Sequence, residues 1–374
     1  MSLLIGVDAS RAVVAQRTGT ENYTLYLVRA LLHIGQGHRW RLYFREPPPR
    51  GLFPCNERIE WRVIPFPRLW THLRLALEIA LRPPDVLFVP AHVLPWIPPR
   101  RGVVTVHDLG YLHYPSAHPF LSRFYLDLST RFNAWVARRV LVDSLATKRD
   151  LVERYGVAAN KIVLAYPAGR PGMASTADPE TLGRVRARYS TGARYFLYIG
   201  SLHPRKNLLC LLRAFASLLE RDMLEEDIKL VLAGKPGWLY DEIAAAARQP
   251  HLRGRVVLAG YVPEDDLPAL LSGALAFLLP SLYEGFGLPV LEAMACDVPV
   301  ICSNVGSLPE VAGDAALLLD PRDQGAWAQA MARVAREPSL RRELIRRGRE
   351  RLMRFSWESC ARTVLATLEE VGRG

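Results

Sequence analysis

Residues 275–306 read LAFLLPSLYEGFGLPVLEAMACDVPVICSNVG, and they contain a complete strand, loop, helix and strand. The runs LAFLLP and PVIC are continuously apolar, which is typical of strands that are covered on both faces of a sheet. The intervening LPVLEAMA predicts a helix, because Pro289 suits a first helical turn, where no backbone N–H is needed. A unit of this kind predicts two parallel strands of one sheet.

The same alternation runs through all 374 residues. Helical patterns such as NYTLYLVRALLHI and NLLCLLRAFASLLE lie between many β-rich runs. The predicted strands are LLIGVDA, RWRLYFRE, EWRVIPF, DVLFVPA, GVVTVHDL, RVLVDS and KIVLAYPAG in the first half, and RYFLYIGS, IKLVLAGK, RVVLAGYV, LAFLLPS, PVICSNVG and ALLLDP in the second. We therefore predict an α/β protein with parallel sheets of the doubly wound type.

The chain is longer than most single cores, so two domains are expected. Residues 167–183, PAGRPGMASTADPETLG, are rich in Pro, Gly, Ser and Thr, which is typical of a linker. The strand–helix alternation starts afresh after this stretch. We predict a Rossmann-like N-terminal domain over residues 1–170, a linker over 171–190 and a second Rossmann-like domain over 191–355, with a cleft between the domains.

Basic charge is concentrated in the first half of the chain. The formal net charge is +11, and residues 1–170 hold 23 Lys and Arg against 12 Asp and Glu. This excess indicates an anionic partner, and nucleic acid, a lipid surface and a phosphorylated substrate all fit it. Five scattered cysteines without a CxxC pair favour a reducing compartment over disulfides or a zinc site. With neither a signal peptide nor an apolar run of about 18 residues, a cytosolic protein is expected.

Ligands of an open parallel sheet bind beyond the carboxyl ends of its strands. The strand RYFLYIG is followed by SLHPRKN and then by a helical pattern, which places Arg205 and Lys206 near a helix N-terminus. Free backbone N–H groups and the helix dipole favour an anion there, and Asn207 could cap the helix. A diphosphate is the ligand that fits, and the alternative is a solvated basic turn.

Two carboxylates flank the loop that follows LAFLLP. Glu284 lies in the loop and Glu292 in the first turns of the next helix, so both can face one ligand. Gly285 and Gly287 allow a close approach of the backbone. Ionised carboxylates accept hydrogen bonds from sugar and ribose hydroxyls. A purely structural pair is the alternative. A glycoside hydrolase also needs two carboxylates, but it has no use for the diphosphate site.

Two candidates lie in the first half. His107, beside Asp108, ends the strand GVVTV and could hydrogen-bond a substrate hydroxyl or transfer a proton, although a structural histidine is an equal alternative. Gly19, in QRTGTENY after the first strand, permits a close approach of the backbone to a ligand. That turn lacks GxGxxG, which weighs against a dinucleotide cofactor.

Residues 280–321, PSLYEGFGLPVLEAMACDVPVICSNVGSLPEVAGDAALLLDP, resemble the signature of family 4 of the retaining glycosyltransferases. GSLHPRKN, VLAGK, LAGYVPEDDLPALLSGA and RFSWESCARTVLATLEEV follow in that family's order. The first half resembles it more loosely, through GVDAS, TGTENYT, VVTVHDL and KIVLAYPAG. The resemblance implies a GT-B fold, with the acceptor bound mainly to the first domain and a sugar nucleotide mainly to the second. It also implies that the last helix, over residues 356–374, crosses back to the first domain.

The resemblance assigns a role to each candidate. Arg205 and Lys206 would hold the donor diphosphate, and Glu292 the nucleotide ribose. Glu284 and the backbone of Gly285, Phe286, Gly287 and Leu288 would hold the donor sugar, with His107 near the sugar and Gly19 near the phosphates. The base would lie near Gly234, Tyr261 and Val262. Three positions depart from the family pattern: Asp297 replaces a usual glycine, Ala168 a usual asparagine and Ser201 a frequent arginine.

The expected function is a retaining transfer of a hexose to an acceptor hydroxyl of a glycan or lipid-linked glycan, without a metal. The mannosyl-transferring members are the most similar, which suggests GDP-mannose. A sugar-nucleotide epimerase of similar fold is an alternative, and so is a basic nucleic-acid-binding protein. Residues 68–82 and 120–139 combine arginine with Trp, Phe or Leu. They could lie on an anionic membrane at its inner face, or they could be helices that pack against a core.

Overall fold

The computed structural model describes residues 2–14, 17–67, 69–91, 93–97, 99–115 and 120–374. The chain forms two compact units. The first comprises Met1–Ala168 and Phe355–Gly374, and the second comprises Gly169–Arg354. Each unit is built around one fully parallel sheet.

The sheet of the first unit has seven strands in the order β3-β2-β1-β4-β5-β6-β7. The strands are β1 Leu4–Asp8, β2 Arg39–Phe44, β3 Ile59–Val63, β4 Val86–Val89, β5 Gly102–Val106, β6 Arg139–Val142 and β7 Ile162–Leu164. Strands β4 and β5 are buried along their whole length, as their continuously apolar sequences predict.

The helices of the first unit pack on both faces of this sheet. They are α1 Gly19–Ile34, a π-helical segment Trp70–Leu75 that continues into α2 Ala76–Leu81, α3 Gly110–His113, α4 Phe120–Val136, α5 Leu145–Tyr155 and, from the end of the chain, α14 Trp357–Arg373. Helix α14 packs along α1, and Val364 and Leu368 are buried in the same core as Leu27 and Leu31. The last helix is thereby part of the first unit.

The sheet of the second unit has six strands in the order β10-β9-β8-β11-β12-β13. The strands are β8 Tyr195–Ile199, β9 Lys229–Ala233, β10 Val256–Gly260, β11 Ala276–Leu279, β12 Val300–Ser303 and β13 Ala316–Leu319. The helices are α6 Pro179–Tyr189, α7 Leu208–Glu220, α8 Tyr240–Ala247, α9 Leu267–Ser272, α10 Leu288–Ala295, α11 Leu308–Ala312, α12 Gln324–Arg336 and α13 Pro338–Leu352. All thirteen predicted strand runs are strands, and the α/β doubly wound prediction is confirmed.

Both sheets reverse their strand order at one point. In the second unit the chain winds outward from β8 through β9 to β10, and then returns to place β11 on the other side of β8. The loops after β8 and β11 therefore leave neighbouring strands at the same edge and diverge from there. This switch point is where doubly wound sheets bind their ligands.

The predicted linker over residues 171–190 is wrong in its second half. Helix α6 occupies Pro179–Tyr189, with Asp178 accepting a hydrogen bond from the Thr181 backbone N–H at 3.0 Å. Asp266 ties α6 to the rest of the second unit, since it accepts bonds from Arg188 and Tyr189 at 2.7 Å each. An N-cap aspartate followed by proline is a helix start signal, but the Pro- and Ser-rich composition around it favoured a loop.

Two further findings concern the whole chain. Among the residues that the structure describes, no helix combines the length and the apolar character needed to cross a membrane. The cysteines Cys55, Cys210, Cys296, Cys302 and Cys360 are free thiols.

Candidate active site

The switch point of the second sheet brings the two predicted ligand loops together. The first loop, after β8, contains Arg205 and Lys206 in a short 3-10 turn directly before α7. The second loop, after β11, contains Glu284 and leads into α10. The Leu282 backbone N–H donates to the Arg205 carbonyl at 2.9 Å, so the loops are joined by their backbones. The predicted cations and the first predicted carboxylate therefore form one site.

Glu284 is buried in this site and makes an ion pair with Lys206. Its Oε1 also accepts a 2.5 Å hydrogen bond from the Ser281 hydroxyl. Burial alone would raise the pKa of the Glu284 carboxyl, but the charges of Lys206 and Arg205 outweigh burial and hold this pKa below its usual value. Glu284 is therefore ionised at neutral pH and can accept hydrogen bonds from a ligand's hydroxyls.

The loop that carries Glu284 is fixed from the following strand–helix connection. The Ser307 hydroxyl lies 3.0 Å from the Glu284 carbonyl and 2.8 Å from the Phe286 carbonyl. Gly306 has φ +58°, and a Cβ there would lie 2.6 Å from the Glu284 carbonyl oxygen. A Cβ on Gly287 would lie 2.7 Å from a Leu308 methyl carbon. Backbone packing therefore requires glycine at 306, and the φ of +101° favours glycine at 287, whether or not a ligand is bound.

Glu292 lies in α10, as predicted, and it too is buried. Its Oε1 is 3.4 Å from Arg170 Nε, and Arg170 Nη1 is 3.7 Å from Glu264 Oε1. Burial raises the pKa of Glu292; Arg170 opposes this shift and Glu264 adds to it. Arg170 therefore joins two carboxylates that would otherwise repel each other. Neither Arg170 nor Glu264 was a sequence candidate, because spacings of 94 or more residues carry no local signal.

Glycines end three neighbouring strands of the second sheet. Gly200, Gly234 and Gly260 follow or finish β8, β9 and β10, and all have positive φ. The Gly234 N–H donates to the Gly260 carbonyl at 2.7 Å, and the Gly200 N–H donates to the Ala233 carbonyl at 3.0 Å. The position at or just after the end of each of these three strands thus has no side chain. Only Gly234 was predicted, although each of these glycines closes a strand-like run in the sequence.

The other predicted base-binding residues lie just beyond these strand ends. Tyr261 is 39% exposed, and Lys235 Nζ lies 5.0 Å from the centroid of its ring. Val262 is buried. Nearby in sequence, the rings of His203 and Trp238 stack with centroids 3.9 Å apart. The sequence did not predict this stack, because its members lie 35 positions apart.

Asn207 occupies the N-cap position of α7 in a left-handed conformation, but its side chain does not cap the helix. Its amide nitrogen donates instead to the Pro321 carbonyl at 2.6 Å. Asn207 therefore takes the predicted N-cap position, but its side chain does not cap the first backbone N–H groups of α7; the Cys210 N–H donates to the Asn207 carbonyl at 3.2 Å. Such groups are suited to an anion.

His107 lies in the first unit, after β5, with both ring nitrogens already bonded. Nδ1 is 2.6 Å from Asp143 Oδ2, and Nε2 is 2.9 Å from the Pro90 carbonyl. Both partners accept hydrogen bonds, so either the ring is a cation or Asp143 carries the proton. Burial opposes the cation, but Asp143 outweighs burial and raises the pKa of His107. The expectation of a histidine free to bond a substrate hydroxyl therefore does not describe this arrangement.

Gly19 is the exposed first residue of α1, and a Cβ there would meet nothing within 4 Å. Packing therefore does not require glycine at this position. Thr18 and Glu21 form a capping box at this helix start, in which the Thr18 N–H donates to Glu21 Oε2 at 3.0 Å. Gly19 and His107 belong to the first unit, while every other candidate belongs to the second.

Two family models together cover most of the chain. Residues 17–168 match the model described as Glycosyltransferase Family 4, and residues 184–351 match the model described as Glycosyl transferases group 1. An O-antigen chain mannosyltransferase B from Escherichia coli is 35% identical over 261 residues, which are 70% of this chain and 68% of the relative. The chain belongs to glycosyltransferase family 4. It is a glycosyltransferase.

Other members differ more in sequence or in length. The O-antigen chain mannosyltransferase RfbU from Salmonella typhimurium is 24% identical over 72% of this chain and 69% of its own. The serotype-specific mannosyltransferase WbdA from Escherichia coli is 28% identical over 73% of this chain. This match spans only 33% of WbdA, so the chain corresponds to about a third of that relative.

Solved structures confirm the GT-B fold. Sucrose-phosphate synthase from Thermosynechococcus elongatus superposes with a TM-score of 0.76 at 21% identity, covering 99% of both chains. WaaG, a glycosyltransferase involved in lipopolysaccharide biosynthesis, superposes with a TM-score of 0.73 at 17% identity, covering 98% of this chain and 99% of WaaG.

One departure from the family pattern has a clear structural basis. Asp297 adopts φ +57°, a conformation that favours glycine. Arg349 forms two bonds of 2.7 Å with its carboxylate, and the Ser175 hydroxyl donates a third at 2.7 Å. Arg349 and Ser175 lower the pKa of Asp297, although burial opposes the shift. These bonds offset the backbone strain that an aspartate meets here.

Proposed function

We propose that this glycosyltransferase moves mannose from GDP-mannose to a hydroxyl group of a glycan or lipid-linked glycan, with retention of configuration. The observation that carries the proposal is the cluster of Arg205, Lys206 and Glu284 at the switch point of the second sheet. A cationic group and a carboxylate side by side match a diphosphate joined to a sugar. The first unit would bind the acceptor.

Arg205 and Lys206 would stabilise the leaving diphosphate. Negative charge develops on that group as the glycosidic bond breaks, and fixed cations beside it lower the barrier most effectively where water is excluded. The backbone N–H groups at the start of α7 add to this stabilisation. Lys206 now neutralises Glu284, so a bound donor would share this cation between its diphosphate and the carboxylate.

The two carboxylates would hold the two ends of the donor. Glu284, ionised by its cationic neighbours, would accept hydrogen bonds from the donor sugar, assisted by the backbone of residues 285–288. Glu292 would accept from the ribose hydroxyls, with Arg170 limiting the cost of its burial. Seven residues lie between these carboxylates, and the loop and first helical turns that they form would span the phosphates.

Retention would follow from attack on the face from which the diphosphate leaves, with a diphosphate oxygen taking the acceptor's proton. Glu284 is bonded to Lys206 and Ser281, an arrangement that suits hydroxyl binding better than nucleophilic attack. His107 has both nitrogens bonded, which favours an electrostatic or positioning role over proton transfer. The place of His107 near the donor sugar is a proposal from the family resemblance alone.

The choice of donor and acceptor draws on the relatives. The names of the Escherichia coli and Salmonella typhimurium relatives describe mannosyltransferases of O-antigen chains. Guanine would lie against backbone at Gly234 and at Tyr261–Val262, beside Gly260, where a Cβ would meet nothing within 4 Å. A lipid-linked acceptor would place the enzyme at the inner face of a membrane.

The proposed metal independence gives a direct prediction. Arg205 and Lys206 supply the charge that a divalent ion would otherwise bring to the diphosphate, so turnover should persist in excess EDTA. Initial rates with and without chelator measure this. Complete loss of activity, restored by Mn²⁺ or Mg²⁺, would contradict the proposal.

The transfer itself is tested by incubating the enzyme with GDP-mannose and a mannose-terminated oligosaccharide and following both products by NMR. We expect GDP and a new glycoside in equal amounts, with the anomeric configuration of the donor. Free mannose or an epimer formed without an acceptor would favour an epimerase, and an inverted linkage would contradict the proposed retention. No product from any sugar nucleotide would overturn the proposal.

A further inference from the structure

Helix α4 of the first unit has its polar side turned inward. Its buried residues are Ser129, Thr130 and Asn133. Asn133 Oδ1 accepts from the Leu94 backbone N–H at 2.9 Å, and Thr130 bonds the Tyr111 hydroxyl at 2.9 Å. These bonds hold α4 on the domain together with the partly buried Leu126, Phe132 and Val136, which pack against its core. Surface helices usually show the opposite pattern, with apolar side chains on the core side and polar ones toward water.

The outer side of α4 is apolar and aromatic. Phe120, Leu121, Phe124, Leu128 and Trp135 are exposed by 56% (Leu128) to 81% (Trp135). At 3.6 residues per turn these five side chains fall within an arc of about 100°. They therefore form one stripe, which we call the outer face of α4, and the exposed Arg131, which pairs with Asp127, falls within the same arc. Contiguous exposed apolar surface of this kind marks an interaction site.

The apolar surface continues past α4. The Tyr125 hydroxyl, also on α4, lies 3.1 Å from His72 Nε2, and the His72 ring stacks on Trp96 with centroids 4.5 Å apart. Burial lowers the pKa of His72, so no charge interrupts this contact at neutral pH. Trp96 and Ile97 are themselves exposed. The predicted segments over 68–82 and 120–139 are thus joined through His72; Arg68 lies outside the described residues.

Basic residues lie around the C-terminal end of the outer face of α4, next to Trp135. Arg100, Arg138, Arg139 and Lys161 line an open pocket of about 500 Å³ beside Trp135, and the described residues of its lining include no Asp or Glu. Lys161 donates to the carbonyls of Ala134 and Trp135, at 2.6 and 3.0 Å, and Arg139 pairs with Glu370. Arg100 and Arg138 are exposed, so they can meet an anion from outside.

We propose that the outer face of α4 and this cationic pocket dock the first unit on an anionic lipid bilayer. An aromatic stripe would enter the interfacial region while the arginines contact lipid phosphates. A second copy of the chain is disfavoured as the occupant, since it would bring the same positive charge. The inference deepens the proposed function, because a lipid-linked acceptor would be met on such a surface, but membrane binding does not require turnover.

Vesicle flotation tests the proposal. The wild-type enzyme should float with vesicles rich in phosphatidylglycerol at low salt, much less with phosphatidylcholine vesicles, and it should be released as salt is raised. The double variant Phe124→Glu/Leu128→Glu should bind at least about tenfold more weakly, because charge replaces apolar contact. Leu145→Glu/Met353→Glu adds the same charge at exposed positions away from α4, and it should float like wild type.

The cationic contribution has its own pair of variants. Arg100→Ala/Arg138→Ala should weaken binding to anionic vesicles only, whereas Arg213→Ala/Arg342→Ala, which removes two exposed arginines of the second unit, should not. Calorimetric binding of GDP and the melting temperature verify that each variant is folded, and they report separately on the donor site.

Three outcomes would overturn the proposal. The first is equal binding to neutral and anionic vesicles, or binding to neither. The second is unchanged flotation of Phe124→Glu/Leu128→Glu. The third is a wild-type dimer in solution that this variant converts to a monomer, because a second copy would then cover the outer face of α4. A failed mannosyl transfer with intact flotation would reject the donor and retain the docking surface.

Discussion

Glu284 and Glu292 are eight residues apart, and their surroundings shift their pKa values in opposite directions. The cations Lys206 and Arg205 outweigh burial at Glu284, whereas burial prevails at Glu292 despite Arg170. The sequence could predict both carboxylates, because each follows the same strand within one loop and helix. It could not predict the opposite shifts of their pKa values, which depend on Lys206, at a separation of 78 residues, and on Arg170, at a separation of 122.

This difference predicts opposite responses of stability to substitution. The native pKa of Glu284 lies below the unfolded value of about 4.5, so its contribution is present above that pH and is lost as the pH falls through the native pKa. The native pKa of Glu292 is raised, so its contribution is lost as the pH rises through the native pKa. At pH 7, Glu284→Gln should lower the free energy of unfolding, and Glu292→Gln should raise it.

Urea denaturation of both variants at pH 7 and pH 4 measures these responses. Glu292→Gln should also weaken nucleotide binding, so the gain in stability accompanies a loss of function. A loss of stability at pH 7 in Glu292→Gln, or no change in Glu284→Gln, would contradict the assigned directions of the pKa shifts.

Lys206 gives a second prediction at this scale. Lys206→Ala should lower kcat/KM by about 10²–10³, because it removes stabilisation of the leaving group. It should also cost about 3–5 kcal/mol of stability, since Glu284 is left buried without its partner. Lys206→Ala/Glu284→Gln removes the stranded charge, so it should recover stability while activity stays low. Recovery of activity in the double variant, or near wild-type kcat/KM in the single one, would reject the role of Lys206.

Among the elements, the glycine-ended strands β8, β9 and β10 bring their backbones into close contact at the carboxyl edge of the second sheet. Gly234 has φ +142°, and a Cβ there would lie 1.8 Å from the Gly200 carbonyl oxygen. Gly234→Ala should therefore cost about 2–5 kcal/mol from overpacking and backbone strain. Gly254→Ala is the matched control, since its φ is +77° but nothing lies within 4 Å. It should cost only about 1–2 kcal/mol. Equal melting temperatures of the two variants would contradict this account.

The elements also show how far sequence patterns extend. All thirteen strands were predictable, because short runs rich in β-branched, aromatic and other apolar residues alternate with helical patterns along the chain. Helix α4 was predictable as a helix with an apolar stripe, but the side that faces the domain was not. A stripe usually marks the core side, and here Ser129, Thr130 and Asn133 occupy that side through bonds to distant groups. Such bonds have no local sequence signal.

For the whole molecule, the division of charge matches the division into units. The excess of positive charge lies in residues 1–170, and the first unit, which holds nearly all of them, carries the outer face of α4 and its cationic pocket. The second half is neutral overall. Within it, Arg205 and Lys206 lie together in the turn that follows β8. Composition alone left nucleic acid, lipid and phosphorylated substrate open as partners. Membership of glycosyltransferase family 4 removes the reason to prefer nucleic acid.

Calorimetric titration of GDP, UDP and GDP-mannose in the presence of EDTA tests the central claim, that the second unit grips a sugar nucleotide through Arg205, Lys206, Glu284 and Glu292. We expect one site per chain, with GDP preferred over UDP, since each base group left unpaired costs about 1–3 kcal/mol. Lys206→Ala/Glu284→Gln should weaken binding of GDP and leave binding of guanosine unchanged. UDP binding at least about tenfold tighter than GDP, a difference of 1.4 kcal/mol, would reject guanine as the donor's base and leave the sugar-nucleotide site in place. Absence of binding by every nucleoside diphosphate and its sugar conjugates, or unchanged GDP binding in the variant, would contradict the claim itself.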